Sequence, residues 1–333
     1  YWPVGRLLID GQNPYDPVAI EALQRSVGDT LGGDSVVRYP PWTLPLLIPA
    51  SLLPYESAWY SWIAFQTLCV VGAAMWLGQL LGANRVGVRA GLLGMLFVPT
   101  WIMVLGGQIG GLLLLVATAF LWAMDSRRYT ASGVLLAVLT LKPHLFVPLA
   151  VFAALWSLRN RRTGLVVAGL LTILVGAIVA SFLRPNIFTD YLHFIQTRSP
   201  TAYLPVSLGG VIRAIVNPNW FWLQWLPLLL AIPLIGFVWR SLDREWSWAT
   251  RGPRMLAAGV VLAPYGLVHD LVLLVPCIVL TACVVYGSRG RAGRLPFLAA
   301  FAVVCSAILL GQLIVGTSYV QAWVAPLVLI VCM

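Results

Sequence analysis

Residues Ala131–Ser157 read ASGVLLAVLTLKPHLFVPLAVFAALWS, an apolar run broken by one charge, Lys142, which stands just before Pro143. Lys142 is the only lysine among 333 residues. A charge inside a membrane segment is costly and marks function more often than packing. The run is flanked by Arg127 and Arg128 on one side and by Arg159, Arg161 and Arg162 on the other. Two basic flanks on the same face make the run a helical hairpin with Lys142 at its tip. Thirteen residues separate Arg128 from Lys142, a reach of about 20 Å for a helix. The hydrocarbon core of a bilayer is about 30 Å thick. The hairpin is therefore too short to cross twice.

Composition agrees with a membrane chain. It is 60% hydrophobic and only 10% charged, where soluble domains carry about 25% charged residues. Mean hydropathy is +0.89, and the 15 tryptophans suit interface positions. The net charge of +10 does not indicate nucleic acid, because the arginines fall in separate short loops between apolar spans. The cysteines, Cys69, Cys277, Cys283, Cys305 and Cys332, lie in apolar runs without metal-ligand spacing and read as free buried thiols. The chain opens on Tyr1 and closes on Met333 inside an apolar run. Both ends are expected to be trimmed, with a further span ahead of Tyr1.

The rest of the chain repeats the pattern. Residues 57–84 form one span, anchored by Trp59 and Trp62 and followed by Arg85 and Arg89. Residues 90–124 form a hairpin of two spans turning at Gly106, Gly107, Gln108, Gly110 and Gly111. Residues 163–183 are a single span, and a polar loop with short helices covers about 184–219. Residues 220–239 return to Arg240, Arg244, Arg251 and Arg254. Residues 255–268 rise to His269, and 271–287 descend to Arg289, Arg291 and Arg294. Residues 295–316 and 320–333 complete the set. The fold class is an all-α polytopic bundle of about eleven membrane segments, several of them short or re-entrant.

The five basic loops carry fourteen arginines and the opposite side seven basic residues, which places those loops in the cytoplasm. Of the acids only Asp125, Asp243 and Glu245 fall inside; the others and all three histidines fall outside. Residues 1–56 are then an extracytoplasmic loop with short interfacial helices, and 57–333 the transmembrane helical domain. Gly11 ends a first helix, Asp16 and Pro17 begin a second, and Gly32 and Gly33 close the polar stretch. Arg38, Tyr39, Pro40 and Pro41 lead into a proline-rich, re-entrant piece. The tips are short like that of Lys142: 16 residues separate Gln108 from Asp125, a reach of about 24 Å, and 15 residues separate Arg254 from Asp270, about 23 Å. Non-helical backbone at that depth belongs at a cavity or inside protein. The three tips are expected to share one outward-opening polar cavity.

The ordered runs YWPVGRLLIDGQNPYD (Tyr1–Asp16), RYPPWTLPLL (Arg38–Leu47), GGQIGGLLLL (Gly106–Leu115), LKPHLFVPL (Leu141–Leu149), PVSLGGVIRAI (Pro205–Ile215) and YGLVHDLVLLVP (Tyr265–Pro276) resemble glycosyltransferase family 87. This is a branch of the GT-C superfamily of polyprenyl-phosphate-sugar-dependent membrane enzymes. Gly110 stands where the family usually has Asn, and Pro205 and Val206 replace its Asn-Gln. The resemblance implies a GT-C-like bundle in the cytoplasmic membrane, with its active face extracytoplasmic. It implies transfer of a monosaccharide, mannose or arabinose-like, from a polyprenyl-phosphate donor to a lipid or glycan acceptor, as part of cell-envelope synthesis. It also places the superfamily's essential Asp just ahead of Tyr1. Asp10 and Asp16 are the weaker candidates within the chain.

Each candidate has a functional and a structural reading. Lys142 would hold the donor phosphate, or be a snorkelling or paired structural lysine. His269 would contact phosphate or acceptor, with Asp270 orienting it; the pair would otherwise cap a helix. Gln108 would bind sugar hydroxyls, or simply sit in a tight turn. Arg38 and Tyr39 would stand at the cavity mouth, or face headgroups. His144 would line the same cavity. Arg213 would contact phosphate, or mark the outer interface. Asp16 also reads as a helix N-cap and Asp10 as a helix end. His193 reads as a solvated loop residue, and Trp220, Trp222 and Trp225 as a membrane belt. Direct displacement at the anomeric carbon predicts inversion. No cofactor and no metal are called for. The competing readings are a lipid-linked sugar transporter or flippase, which would show related halves, and a non-catalytic scaffold.

Overall fold

A computed structural model describes residues 1–28, 37–82, 87–198, 204–240, 246–288, 290–315 and 318–333. Gly32, Gly33, Arg85, Asp243, Arg244, Glu245 and Arg289 lie outside the described residues. Within them all regular structure is helical. The N-terminal segment holds α1 (Trp2–Ile9), α2 (Pro17–Ser26) and a 3-10 turn (Pro41–Leu47) running into α3 (Ile48–Ser51). Then come α4 (Tyr55–Leu80), α5 (Gly87–Leu96), α6 (Val98–Leu105), α7 (Gly110–Asp125), α8 (Tyr129–Leu139), α9 (Pro143–Arg159) and α10 (Gly164–Leu183). The polar loop carries α11 (Ile187–Thr197) and α12 (Leu208–Val216). A 3-10 turn (Phe221–Trp225), α13 (Leu226–Leu229) and α14 (Ala231–Arg240) lead to α15 (Trp248–Leu262). A further 3-10 turn (Val268–Leu274) opens α16 (Val275–Ser288), and α17 (Gly290–Ile314) and α18 (Val324–Cys332) follow.

Among the described residues four helical stretches are long and apolar enough to cross a membrane: Tyr55–Leu80, Gly164–Leu183, Val268–Gly287 and Gly293–Ile314. The pair α5 and α6 makes a fifth if counted as one. The helices Gly110–Asp125, Tyr129–Leu139 and Pro143–Arg159 are apolar but shorter. A count of about eleven segments therefore depends on these short pieces and is not reached by length alone. Two segments expected as continuous spans are broken. Between α5 and α6 the axis bends by 66° at Phe97, which is extended, with Pro99 in the first turn that follows. Proline removes an i→i−4 bond and clashes with the preceding turn. Residues 220–239 form a 3-10 turn and two helices, with Pro227 at the junction.

Burial separates the layers. The α16 stretch is central, with 78% of its apolar window buried, whereas those of α10 and α17 are 17% and 11% buried. Around α16 pack α15, α4, α5 and α18. The α9 helix packs on α15, and α8 lies along α10. That last contact depends on Gly133, where a Cβ would overlap the Leu165 carbonyl and come within 2.9 Å of the Gly169 nitrogen. Small residues permit such close helix approach where no water drives association. The N-terminal segment is not a detached loop: the Pro41–Leu47 turn packs on α10, and Trp42 donates its indole N–H to Thr140 Oγ1 at 2.9 Å. Asp16 caps α2 by accepting the Val18 N–H at 2.9 Å, with Pro17 at the first helical position.

Candidate active site

Three turns bring polar groups to one place. Pro143 begins α9, and Lys142 stands at its N-cap in a non-helical conformation. A proline at the first helical position lacks only an N–H that the helix would not use. This separates α8 from α9 and sets the lysine at the tip. At the second tip the α7 hairpin turns through Gly107, whose φ of +62° favours glycine. A Cβ there would also meet the Trp59 ring at 3.0 Å. The third tip is the 3-10 turn ahead of α16, closed by the Asp270 N–H to the Leu267 carbonyl at 2.8 Å.

The tips enclose a cavity of about 470 Å³. Gln108, Lys142, His144, His269 and Asp270 line it, and so do Arg38 and Tyr39 from the N-terminal segment. Lys142 Nζ donates to Asp270 Oδ1 at 2.6 Å and lies 3.4 Å from His269 Nε2. The second carboxylate oxygen, Oδ2, accepts the Leu267 N–H at 2.9 Å. The Lys142 and Asp270 side chains are 8% and 5% exposed and that of His269 is 14% exposed. His269 is therefore the member of the trio that most faces the cavity. Asp270 was expected to orient His269, but its carboxylate is committed to Lys142 and the Leu267 amide. The His269 ring is 3.7 Å from Oδ1, outside hydrogen-bond range.

A hydrogen-bonded aromatic group forms the facing wall. The Tyr1 and Tyr39 hydroxyls are 2.6 Å apart, and Tyr1 also donates to Gln108 Oε1 at 3.0 Å. The two phenol rings stack at 5.6 Å. Burial pushes both phenols up from their ordinary range, so both are neutral hydrogen-bonding groups. Trp62 donates to the Gly107 carbonyl at 2.8 Å, holding the second tip. His144 lies against Tyr265, ring centroids 4.3 Å apart. Arg38 lines the mouth while its guanidinium donates to the Arg198 carbonyl at 2.5 Å and covers the Phe194 ring at 5.5 Å. It thereby ties the end of α11 to the N-terminal segment.

Three candidates fall elsewhere. Arg213 is buried, 1% exposed, and away from the cavity. It donates to Gln224 Oε1 at 2.7 Å and to the Pro218 carbonyl at 3.1 and 2.5 Å, folding the 217–225 turn back onto α12. Asp16 is engaged as the α2 cap, and Asp10 is half-exposed, 3.3 Å from Arg6; neither lines the cavity. His193 is exposed on α11, and Trp220, Trp222 and Trp225 are 50%, 56% and 41% exposed. The sequence reading missed Tyr1, Trp59, Trp62 and Tyr265 as lining residues. Trp59 and Trp62 are three apart on α4, a spacing that puts both on one helix face. Among the described residues, no three His, Cys, Asp or Glu side chains are placed to share a metal ion.

Neither the curated proteins nor the solved structures contain a match to the chain. The family model for glycosyltransferase family 87 matches residues 38–267. That segment contains the Gln108 and Lys142 tips and stops just short of His269; the Tyr1–Asp16 run lies ahead of it. It covers more than half of the chain, which therefore belongs to glycosyltransferase family 87 and is a membrane glycosyltransferase.

Proposed function

We propose that the enzyme moves one monosaccharide, mannose or arabinose-like, from a polyprenyl-phosphate donor to a lipid or glycan acceptor, on the extracytoplasmic face of the cytoplasmic membrane. One observation carries this reading: a buried ammonium, Lys142, and an imidazole, His269, lie 3.4 Å apart in the wall of a cavity that tyrosines and tryptophans also line. A cavity of about 470 Å³ falls in the ordinary range for small-molecule sites. It has room for a sugar and its phosphate, while the prenyl chain would run out into the bilayer.

In the proposed reaction the acceptor hydroxyl oxygen attacks the anomeric carbon. The bond from that carbon to the phosphate oxygen breaks, and its electron pair stays on the phosphate. The acceptor proton passes to a carboxylate. Prenyl phosphate is a good leaving group, so the site needs positive charge for the developing anion more than it needs an acid. Lys142 would supply that charge and the His269 ring a hydrogen bond, and Asp270 would keep the ammonium charged and aimed. Gln108, held by Tyr1, would bind sugar hydroxyls. Both oxygens of Asp270 are already engaged, so it is poorly placed as the base. The family resemblance implies that the superfamily's essential aspartate takes this proton. Displacement from the face opposite the phosphate inverts the anomeric centre.

The test is a transfer assay in proteoliposomes with prenyl-phosphate mannose and prenyl-phosphate arabinose. Wild-type protein should form a new glycoside and release prenyl phosphate, and His269→Ala should reduce the rate at least about tenfold. Undiminished transfer by the alanine variant would remove His269 from the phosphate contact.

A further inference from the structure

The opposite ends of α8 and α9 from the Lys142 tip build a second, basic cleft. Arg127, Arg128, Arg161 and Arg162 line an open cavity of about 530 Å³ with Thr130 and Thr163. All four arginines are exposed. Among the described residues no carboxylate lies within ion-pair distance of any of them. The nearest acid in sequence, Asp125, instead accepts the Trp248 backbone N–H at 2.9 Å. Arg128 lies over Trp122 at 4.7 Å and Arg162 over Tyr129 at 5.4 Å; Arg127 and Arg161 make no such contact.

The two loops are copies in form. Ser126-Arg127-Arg128 follows α7 and Asn160-Arg161-Arg162 follows α9. The Arg128 N–H reaches back to the Ala123 carbonyl at 2.7 Å, and the Arg162 N–H to the Ser157 carbonyl at 2.8 Å. The loops lead into α8 and α10, which run side by side through Gly133 and have no side-chain cap at either N-terminus. Two positive helix ends therefore add to the field of four guanidiniums. Directly beyond the cleft, α10 exposes Val167, Leu170, Leu171, Leu174 and Val175. Cationic donors continuous with a lipid-facing apolar strip match an amphiphile: a phosphate on the arginines and acyl chains along α10.

We infer that this cleft binds the phosphate headgroup of an anionic phospholipid from the leaflet opposite the sugar-transfer cavity. The shared chemistry is a phosphate monoanion; the apolar strip assigns it to a lipid rather than to a free phosphate. Basic pockets between membrane helices are suited to such headgroups.

The protein itself offers a clean test. Arg127 and Arg161 have φ of +57° and +55°, in the left-handed region that favours glycine. Arg127→Gly with Arg161→Gly thus deletes two charges without opposing the backbone. Thermal unfolding would be followed in neutral detergent doped with phosphatidylglycerol, with phosphatidylcholine, or with inorganic phosphate. Wild-type protein should be stabilised by phosphatidylglycerol alone. The double variant should need about 30-fold more of it for half the effect, about fivefold per basic residue lost. Arg128→Gln with Arg162→Gln should behave likewise and stands in if the glycine pair does not fold. Equal stabilisation by phosphatidylcholine, or a phosphatidylglycerol response unchanged in both variants, would overturn the site. Equal stabilisation by inorganic phosphate would overturn the lipid assignment.

Discussion

Replacing Lys142 by methionine separates two roles that the geometry assigns to one side chain. In the fold, Lys142 neutralises Asp270 across 2.6 Å, with both side chains less than a tenth exposed. Removing one partner of a buried ion pair leaves an uncompensated charge and costs about 3–5 kcal/mol. Lys142→Met should therefore unfold at much lower temperature or denaturant. Asp270→Asn should also destabilise, by stranding the ammonium, although the amide oxygen can still accept the Leu267 N–H. The double variant Lys142→Met, Asp270→Asn removes both charges at nearly constant volume, so most of the loss should return, leaving about 1 kcal/mol for the altered hydrogen bonds. In catalysis no such rescue is available. An ammonium facing the leaving phosphate is worth about 10²–10³ in rate, so the double variant should be stable and still 10²–10³ slower. The assays are thermal unfolding in detergent and sugar transfer per folded molecule. A double variant that transfers within threefold of wild type would make the pair purely structural. A single Lys142→Met as stable as wild type would refute the buried-pair reasoning itself.

Gln108→Ala removes the acceptor of the Tyr1 hydroxyl and a sugar-facing amide; donor KM should rise about tenfold, the worth of one hydrogen bond, with kcat little changed. Arg213→Met should cost about 2–4 kcal/mol, since it leaves Gln224 and the Pro218 carbonyl without their donor; transfer by the folded fraction, measured beside the unfolding curve, should stay within twofold of wild type. Gly133→Val forces side-chain atoms into the Leu165 carbonyl, and about 3 kcal/mol or more of overpacking should appear as a lowered unfolding temperature.

Much of the architecture was legible because membrane chains write their topology in charge and length. Paired arginines bracket the α8–α9 hairpin, and a lone lysine before a proline marks its tip. The bend at Phe97 was also signalled, by Pro99, but residues 90 to 105, the first arm of that hairpin, read as a single span when only length is weighed. Site residues were harder wherever a side chain has two equally good homes. Trp59 and Trp62 look like interface anchors from sequence, because nothing in one dimension says whether their helix face meets lipid or a cavity. Arg213 looks like a phosphate ligand because its partners, Gln224 and a proline carbonyl, reach it only when the turn after α12 folds back. Asp270 looks like the orienting partner of its neighbour His269; only the helix packing that brings α9 against α15 gives it to Lys142 instead.

A donor labelled twice gives the most direct test: tritium in the sugar, phosphorus-32 in the phosphate, supplied to purified enzyme in liposomes with a membrane-lipid extract as acceptor. If the cavity performs glycosyl transfer, tritium moves to a new product and phosphorus-32 stays with the prenyl carrier. Movement of both labels together across the bilayer or onto the acceptor, with the bond between sugar and phosphate intact, would contradict it.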